Sequence, residues 1–334
     1  MMRIFVTGTA GFIGFHLAEL LLQEGHEVAG FDGLTDYYEV SLKESRRAIL
    51  NQHARFHDTV AMLEDKAVLH DAIVSFQPDM IVHLAAQAGV RYSLENPQAY
   101  ISANVLGTFN VMEAAREVGV KHLVMASTSS VYGANTEMPF GEDQKVDHQL
   151  TIYAATKKAT ESMGHSWAHI HDLPTTMFRF FTVYGPWGRP DMAFFKFTRN
   201  ILNGTPIDIY NQGQMARDFT YVVDLVRGIR GLMDAIPGGP ETAVDGDSLS
   251  PAAPYRVVNI GNSTSVPLLD FIEAIEEACG TKAIRNYMPM QTGDVVATWA
   301  DAGLLHRLTG YAPETDYRTG VAAFVDWYRD YYEL

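Results

Sequence analysis

Short apolar runs alternate with longer amphipathic stretches along much of this chain. The runs are Ile4 to Thr7, Val28 to Phe31, Met80 to Leu84, Leu123 to Ala126, Thr176 to Phe180 and Val257 to Ile260, with Arg55-Phe56-His57 as a weaker strand. Between them, Phe12 to Gln23 and Val105 to Val118 each carry an apolar stripe of helical period. They stop at Gly25 and Gly119, where glycine accommodates the left-handed turn that closes a helix. Apolar strands separated by amphipathic helices predict an α/β fold, a doubly wound (Rossmann) parallel sheet of about seven strands with helices on both faces.

After Phe180 the rhythm changes. Tyr184-Gly185-Pro186-Trp187-Gly188-Arg189-Pro190 reads as a loop and Phe194 to Leu202 as a helix, which suggests a smaller C-terminal α/β lobe. Val222 to Met233 and Arg256 to Ile260 look like a return to the first domain. The expected division is therefore discontinuous: residues 1–180 plus about 219–262 form the Rossmann domain, and about 181–218 plus 263–334 form a substrate lobe. The stretch Pro237 to Pro254, rich in Gly, Pro, Ser and Asp, is expected to be a solvated loop.

Composition restricts the partners. With 334 residues and a net charge of -15, the chain can bury a sizeable core and repels nucleic acid and anionic membranes. No stretch approaches the roughly 18 apolar residues of a membrane span. Cys279 is the only cysteine, so no intrachain disulfide can form; packing is expected for it, with the adjacent acids raising its pKa. The start, Met1-Met2-Arg3-Ile4-Phe5-Val6-Thr7, carries no charged leader, and a cytoplasmic protein is expected.

Two constellations carry chemistry. Gly8-Thr9-Ala10-Gly11-Phe12-Ile13-Gly14 lies between the first strand and the first helix, where side chains would keep a pyrophosphate from the free NH groups of the helix N-terminus. Asp32 closes the second strand, placed to accept both hydroxyls of an adenosine ribose and to repel a 2'-phosphate. No basic residue follows it until Lys43, which favours NAD over NADP. Asp58, with Thr59 beside it, either reaches the adenine amino group or forms a surface turn. The second constellation is Tyr153-Ala154-Ala155-Thr156-Lys157 together with Ser127-Thr128-Ser129-Ser130. A tyrosine and a lysine four apart share one face of a helix, and a phenol with a pKa of about 10 needs such a cation to act as a base at neutral pH. The spacing alone arises on many helices, so its weight comes from the dinucleotide loop upstream.

Other candidates read as structural. His165 and His169 have metal-ligand spacing, but Ser166-Trp167-Ala168 intervene without the glutamate of a zinc protease pair, so a helix surface and no metal are expected. Tyr37-Tyr38 and Tyr331-Tyr332 are expected to pack rather than bind.

These pieces together resemble the extended short-chain dehydrogenase/reductases, and within them the nucleotide-sugar epimerases. Asp36-Tyr37-Tyr38, the run His83 to Ser93, Tyr153 to Lys158, the run Arg179 to Met192, and Arg217 to Tyr221 are similar to the UDP-glucuronate 4-epimerases among them. The resemblance implies an isomerase that binds NAD and a UDP-sugar. Tyr153 would be acid and base at the C4 hydroxyl, Lys157 would hold the nicotinamide ribose and lower the Tyr153 pKa, and Thr128 would share the proton. Leu84, Ala85, Ala86, Gln87, Asn104 and Phe180 would line NAD. Thr182 stands where related epimerases carry an asparagine facing the sugar, and Arg217 where an arginine grips the diphosphate. Gln291, ahead of Gly293-Asp294, replaces the second such arginine of galactose epimerases. Tyr210 could lie against uracil or simply pack.

A glucuronate adds a carboxylate that needs donors. Arg189 is the leading candidate, since a guanidinium gives two-point geometry, with Arg91 second and Thr128, Ser129 and Ser130 as neutral alternatives. In the similar decarboxylases and 4,6-dehydratases an acid lies just before Val-Tyr-Gly; here the places hold Ser129 and Ser130. Neutral groups suit inversion, because a 4-keto glucuronate loses carbon dioxide readily when helped. The expected reaction is reversible C4 epimerisation with NAD regenerated each cycle. A UDP-glucose 4-epimerase and a catalytically silent NAD-binding regulator are the alternatives, and the helices at Val105 to Val118 and Tyr153 to His169 often pair as a homodimer interface in the resembling family.

Overall fold

The computed structural model describes residues 1–291 and 293–334. In chain order its strands are β1 (Arg3–Thr7), β2 (Glu27–Asp32), β3 (Phe56–Val60), β4 (Met80–His83), β5 (His122–Ala126), β6 (Thr175–Phe180), β7 (Thr182–Tyr184), β8 (Ile207–Ile209), β9 (Ala216–Tyr221), β10 (Tyr255–Ile260), β11 (Ser265–Pro267) and β12 (Arg285–Tyr287). A seven-stranded sheet runs β10-β6-β5-β4-β1-β2-β3, all parallel. From β1 the chain first builds outward through β2 and β3, then crosses to β4 on the other side. Thr7 pairs with both Phe31 and His83 at that switch, so the crevice where such sheets bind ligands opens at the carboxyl ends of β1, β2 and β4.

Alternation along the strands builds both cores. Ile4, Val6, Val28, Met80, Val82, Val124, Phe178 and Val258 face the helices Phe12–Gln23 and Val222–Asp234. Phe5, Ala29, Phe31, Ile81, Leu123, Met125 and Met177 face Lys66–Phe76 and Thr108–Val118. Strands buried on both faces show no polar alternation, which is why they read as unbroken apolar runs. Leu304 and Leu305, in the range expected for the second lobe, pack into the first of these cores.

The second lobe gathers its own core from Tyr184, Phe194, Phe195, Phe219, Phe271 and Phe324. Strands β7, β9 and β11 form a small mixed sheet and β8 pairs with β12. Phe219 and Phe271 stack with centroids 3.8 Å apart.

Two local features depart from the sequence expectation. The helix read from Val105 begins earlier, as a π-helical stretch, Ile101–Gly107, that turns Asn104 inward. The Pro237 to Pro254 segment is pinned rather than loose, because Asp247 receives the buried Arg256 guanidinium at 2.8 and 2.9 Å. No described helix is long and apolar enough to cross a membrane.

A Cβ on Gly320, in the helix Tyr317–Tyr332, would overlap the buried Tyr184 phenol. Gly320→Ala should therefore lower unfolding stability by about 1–3 kcal/mol, as overpacked core positions do, measured by chemical denaturation.

Candidate active site

The glycine loop follows β1 directly. Gly8 has φ +82°, and a Cβ there would come within 2.9 Å of the Ala85 amide nitrogen; a Cβ on Gly14 would overlap the Gly8 carbonyl oxygen. No side chain caps the helix that starts at Phe12, so its first NH groups face the crevice unshielded. This cradle fits a pyrophosphate for the reason expected from the sequence.

A cavity of about 270 Å³ extends from it, lined by Gly8, Gly11, Phe12, Ile13, Gly14, Asp32, Leu84, Ala85, Ala86, Gln87, Phe180, Tyr153 and Lys157. The Asp32 carboxylate is oriented by the amides of Ala10 at 3.0 Å and Leu34 at 2.9 Å. Thr7 accepts from the amides of Leu84 and Ala85, fixing the loop after β4 against β1.

Three expected cofactor residues do not line this cavity. Asp58 points toward the helix Val40–Leu50, where Arg47 grips it at 2.5 Å and Asn51 at 3.2 Å, and Thr59 likewise does not line the cavity. Because β3 runs on to Val60, the turn that meets the cavity comes later, at Met62, Leu63 and Glu64. Asn104 is buried one layer back. Its side chain bonds the Gln87 amide (2.8 Å) and carbonyl (3.1 Å) and the Thr156 hydroxyl (3.1 Å), so it shapes the wall without forming it.

The structure also brings in residues that sequence reasoning assigned to packing or passed over. Tyr37, Tyr38 and Lys43 line the cavity. The Lys43 ammonium donates to the Thr35 carbonyl at 2.6 Å and sits 4.3 Å from the Tyr38 ring centroid. Arg46, fully buried, donates to the carbonyls of Ala10 (2.8 Å), Trp187 (2.6 Å) and Gly188 (3.3 Å) and to the Tyr38 hydroxyl (3.0 Å). It thus ties the glycine loop to the loop after β7. The sequence signal for this element was the polar, basic spacing Lys43 and Arg46 after Tyr37-Tyr38, which only the fold turns inward.

The helix Ile152–His171 starts at Thr151, whose hydroxyl accepts from the Ala154 amide. Its first turn puts Tyr153 where two cavities meet, since Tyr153 lines both. Burial raises the Tyr153 phenol pKa, while the Thr128 hydroxyl beside it and the Arg189 cation lower it. Burial pushes the Lys157 ammonium down to about 8, against a raising influence from Glu161. Glu161 is a buried hub that receives Arg179 in two bonds of 2.8 Å, the Ser127 hydroxyl at 2.6 Å and Lys158 at 3.2 Å.

The second cavity, about 610 Å³, is lined by Tyr153, Thr128, Ser129, Ser130, Thr182, Arg189, Arg91, Tyr210, Arg217 and Asp294, together with Lys196 and Arg199 from the helix Ala193–Leu202. Arg91 pairs with Asp294 at 3.0 Å and lies over the Tyr210 ring at 5.0 Å. Arg217 donates to the carbonyls of Val295 (2.7 Å), Val296 (3.1 Å) and Ala216 (2.8 Å), with burial lowering its pKa and Asp294 raising it. Arg189 lines both cavities and is bound by Asp191. Gln291 does not line this cavity. His165 and His169 are engaged by Ser250 and the Ala252 carbonyl, and Cys279 is buried with its thiol raised to about 11 by burial, not by neighbouring acids.

Lys157 offers a test of what burial costs. Its folded pKa lies below the unfolded value, so the unfolded chain binds the extra proton between about pH 8 and 10.5, and stability rises with pH across that window. Lys157→Met should be more stable than the wild type at pH 7, on the order of 1–3 kcal/mol, and the difference should shrink by pH 10. Denaturant unfolding at the two pH values measures it; an equal difference at both would contradict the buried, destabilised ammonium.

Comparison with known proteins agrees with this geometry. The "NAD dependent epimerase/dehydratase family" model matches residues 4–261. A probable UDP-glucuronate 4-epimerase of Rhizobium meliloti (strain 1021) is 55% identical, over 99% of this chain and 98% of that protein. UDP-glucuronate 4-epimerase 2 of Arabidopsis thaliana is 43% identical, over 99% of this chain and 76% of that protein. Among solved structures, UDP-glucuronic acid 4-epimerase of Bacillus cereus in complex with UDP-glucuronic acid and NAD superposes with a TM-score of 0.89 at 31% identity, covering 99% of this chain and 100% of that one. The glycine cradle, the Tyr153 and Lys157 helix and these matches lead to one conclusion: the chain belongs to the NAD-dependent epimerase/dehydratase family, within the extended short-chain dehydrogenase/reductases.

Proposed function

We propose that this enzyme interconverts UDP-glucuronate and UDP-galacturonate by inverting C4 with NAD as resident cofactor. One observation carries the proposal: Tyr153 and Arg189 both stand at the junction of the two cavities, while the short stretch facing them, Thr128 to Ser130, is uncharged. A proton-transfer group, a carboxylate-binding cation and a neutral wall are what inversion of an acidic sugar requires.

Gly8, Gly11 and Gly14 would hold the NAD pyrophosphate, Asp32 a ribose, the Leu84 to Gln87 segment and Phe180 the nicotinamide half, and Lys157 the second ribose. When bound, NAD supplies reversible hydride acceptance at the sugar carbon. Tyr153, as phenolate, takes the C4 hydroxyl proton and Thr128 shares it. Arg217, Lys196 and Arg199 hold the diphosphate while the 4-keto sugar turns. Arg189, with Ser129 and Ser130, binds its carboxylate when C4 faces Tyr153. Tyr153 then returns the proton to the inverted hydroxyl.

The functional unit we propose is a homodimer. The helix Ile152–His171 and the π-helical stretch ahead of Thr108–Val118 leave Ile101, Leu106, Ile152 and Ile170 exposed, an apolar set that a second copy could cover. A cytoplasmic location belongs to the same proposal.

Purified protein incubated with UDP-glucuronate and no added cofactor should yield UDP-galacturonate, identified by chromatography of the product sugar, with no steady accumulation of NADH. Tyr153→Phe should lower kcat by about 10²–10⁴ while UDP-glucuronate still binds. Net NADH build-up, or full activity in the variant, would refute the mechanism.

A further inference from the structure

Arg189 does not stand free in the sugar cavity. Its Nε donates to Asp191 Oδ1 at 3.0 Å and its Nη2 to Asp191 Oδ2 at 2.6 Å, a side-on two-point pair. A guanidinium has five N–H donors, and this pair occupies the Nε edge. The end-on edge, formed by Nη1 and the second Nη2 hydrogen, is left for another carboxylate. Asp191 is itself held from across the cleft: the Tyr37 hydroxyl donates to its Oδ2 at 3.2 Å. Tyr37 lies beyond β2 in the first domain, and lines both cavities.

The seat of Tyr37 is built for it. Gly89 has φ +104°, and a Cβ there would overlap the Tyr37 hydroxyl, so that close approach requires glycine. The ring packs 4.9 Å from Tyr92. The backbone entering Arg189 is fixed from the same side by Arg46, which donates to the carbonyls of Trp187 and Gly188.

From this we propose that Asp191, oriented by Tyr37, is a positioning residue for sugar selectivity: it locks Arg189 so that its end-on edge meets the C6 carboxylate of a hexuronate. The proposal rests on the UDP-glucuronate assignment above. Immobilising an arginine side chain costs conformational freedom, so a guanidinium already locked before the ligand arrives makes a stronger carboxylate contact. A neutral hexose, which does not use the end-on edge, gains less from the lock. Selectivity is therefore shared between the two lobes, because the first domain supplies the hydroxyl that holds the second lobe's arginine pair.

Replacing Asp191 by asparagine would mix lost positioning with lost repulsion between two carboxylates, so charge-conserving variants give the clear test. Asp191→Glu displaces the guanidinium, and Tyr37→Phe removes one hydrogen bond. Affinities of UDP-glucuronate and UDP-glucose are measured by calorimetry on the NAD-loaded protein, in a Tyr153→Phe background that stops turnover. The preference for UDP-glucuronate should narrow about tenfold in Asp191→Glu and about threefold in Tyr37→Phe, through weaker UDP-glucuronate binding. An unchanged preference in both variants, or equal weakening of the two ligands, overturns the positioning role. Should Asp191→Glu fail to fold, Tyr37→Phe decides alone. If the Tyr153→Phe parent itself shows no preference for UDP-glucuronate, the substrate assignment fails and this proposal falls with it.

Discussion

The Glu161–Arg179 pair is the interaction on which the site depends. Both side chains are almost wholly buried, 2% and 3% exposed, and each is useful only while the other is present. A lone buried charge of this kind costs several kcal/mol, whereas the pair satisfies both groups and still has bonds to spare. Glu161 spends them on Ser127, at the end of β5, and Arg179 on Tyr132, 3.1 Å from its Nη1. Tyr132 in turn donates to Asn259 on β10. One ion pair therefore sets the helix Ile152–His171 against the ends of β5, β6 and β10. On that helix Tyr153, Lys157 and Glu161 follow at intervals of four, on one face, so the register that seats Glu161 also aims the other two at the cavities.

The consequence for Lys157 is electrostatic. Burial drives its ammonium toward neutrality, and Glu161, one turn along, works against that. Glu161 is itself held below the usual carboxylate range: burial would raise it, but Arg179 and Ser127 more than offset that. The Glu161 charge thus acts on Lys157 from behind the cofactor cavity, without lining it.

How much of this was legible from residues alone follows the range of the forces involved. The seven strands of the large sheet, the glycine loop and the Tyr153 and Lys157 spacing are local patterns, set by period, turn conformation and helix pitch, and they can be read without the fold. Asp58 shows where local patterns stop. An acid after a short strand looks suited to adenine, but β3 continues to Val60, Arg47 captures the carboxylate, and Met62 and Leu63 take the cavity wall. Tyr37, Arg46 and Asp191 show the converse. Tyr37-Tyr38 carries no helical or strand period beyond an apolar character, and its use is decided by partners about 150 residues away in the chain. Asn104 was marked only by the family resemblance, just ahead of the helix read from Val105, and the π-helical turn that sends it behind Gln87 has no signature in the apolar stripe.

The charge inventory of the sugar cavity ties these observations to the chemistry. A chain of net charge -15 presents there Arg91, Arg189, Arg199, Arg217 and Lys196. Among the described lining residues, each carboxylate is already engaged: Asp191 by Arg189, Asp294 by Arg91, and Asp208 by Asn286 at 2.6 Å. An anionic ligand is therefore drawn by the surplus cations, and no free acid faces it. Protons at the sugar must pass through Tyr153 and the hydroxyls around Thr128. With no acid placed to expel a leaving group or to protonate the carbon left by lost carbon dioxide, a 4-keto intermediate has one supported course, which is return of hydride and proton to C4. Inversion then depends on the space to turn: the cavity beyond Tyr153 has about 610 Å³, more than twice that of the cofactor side.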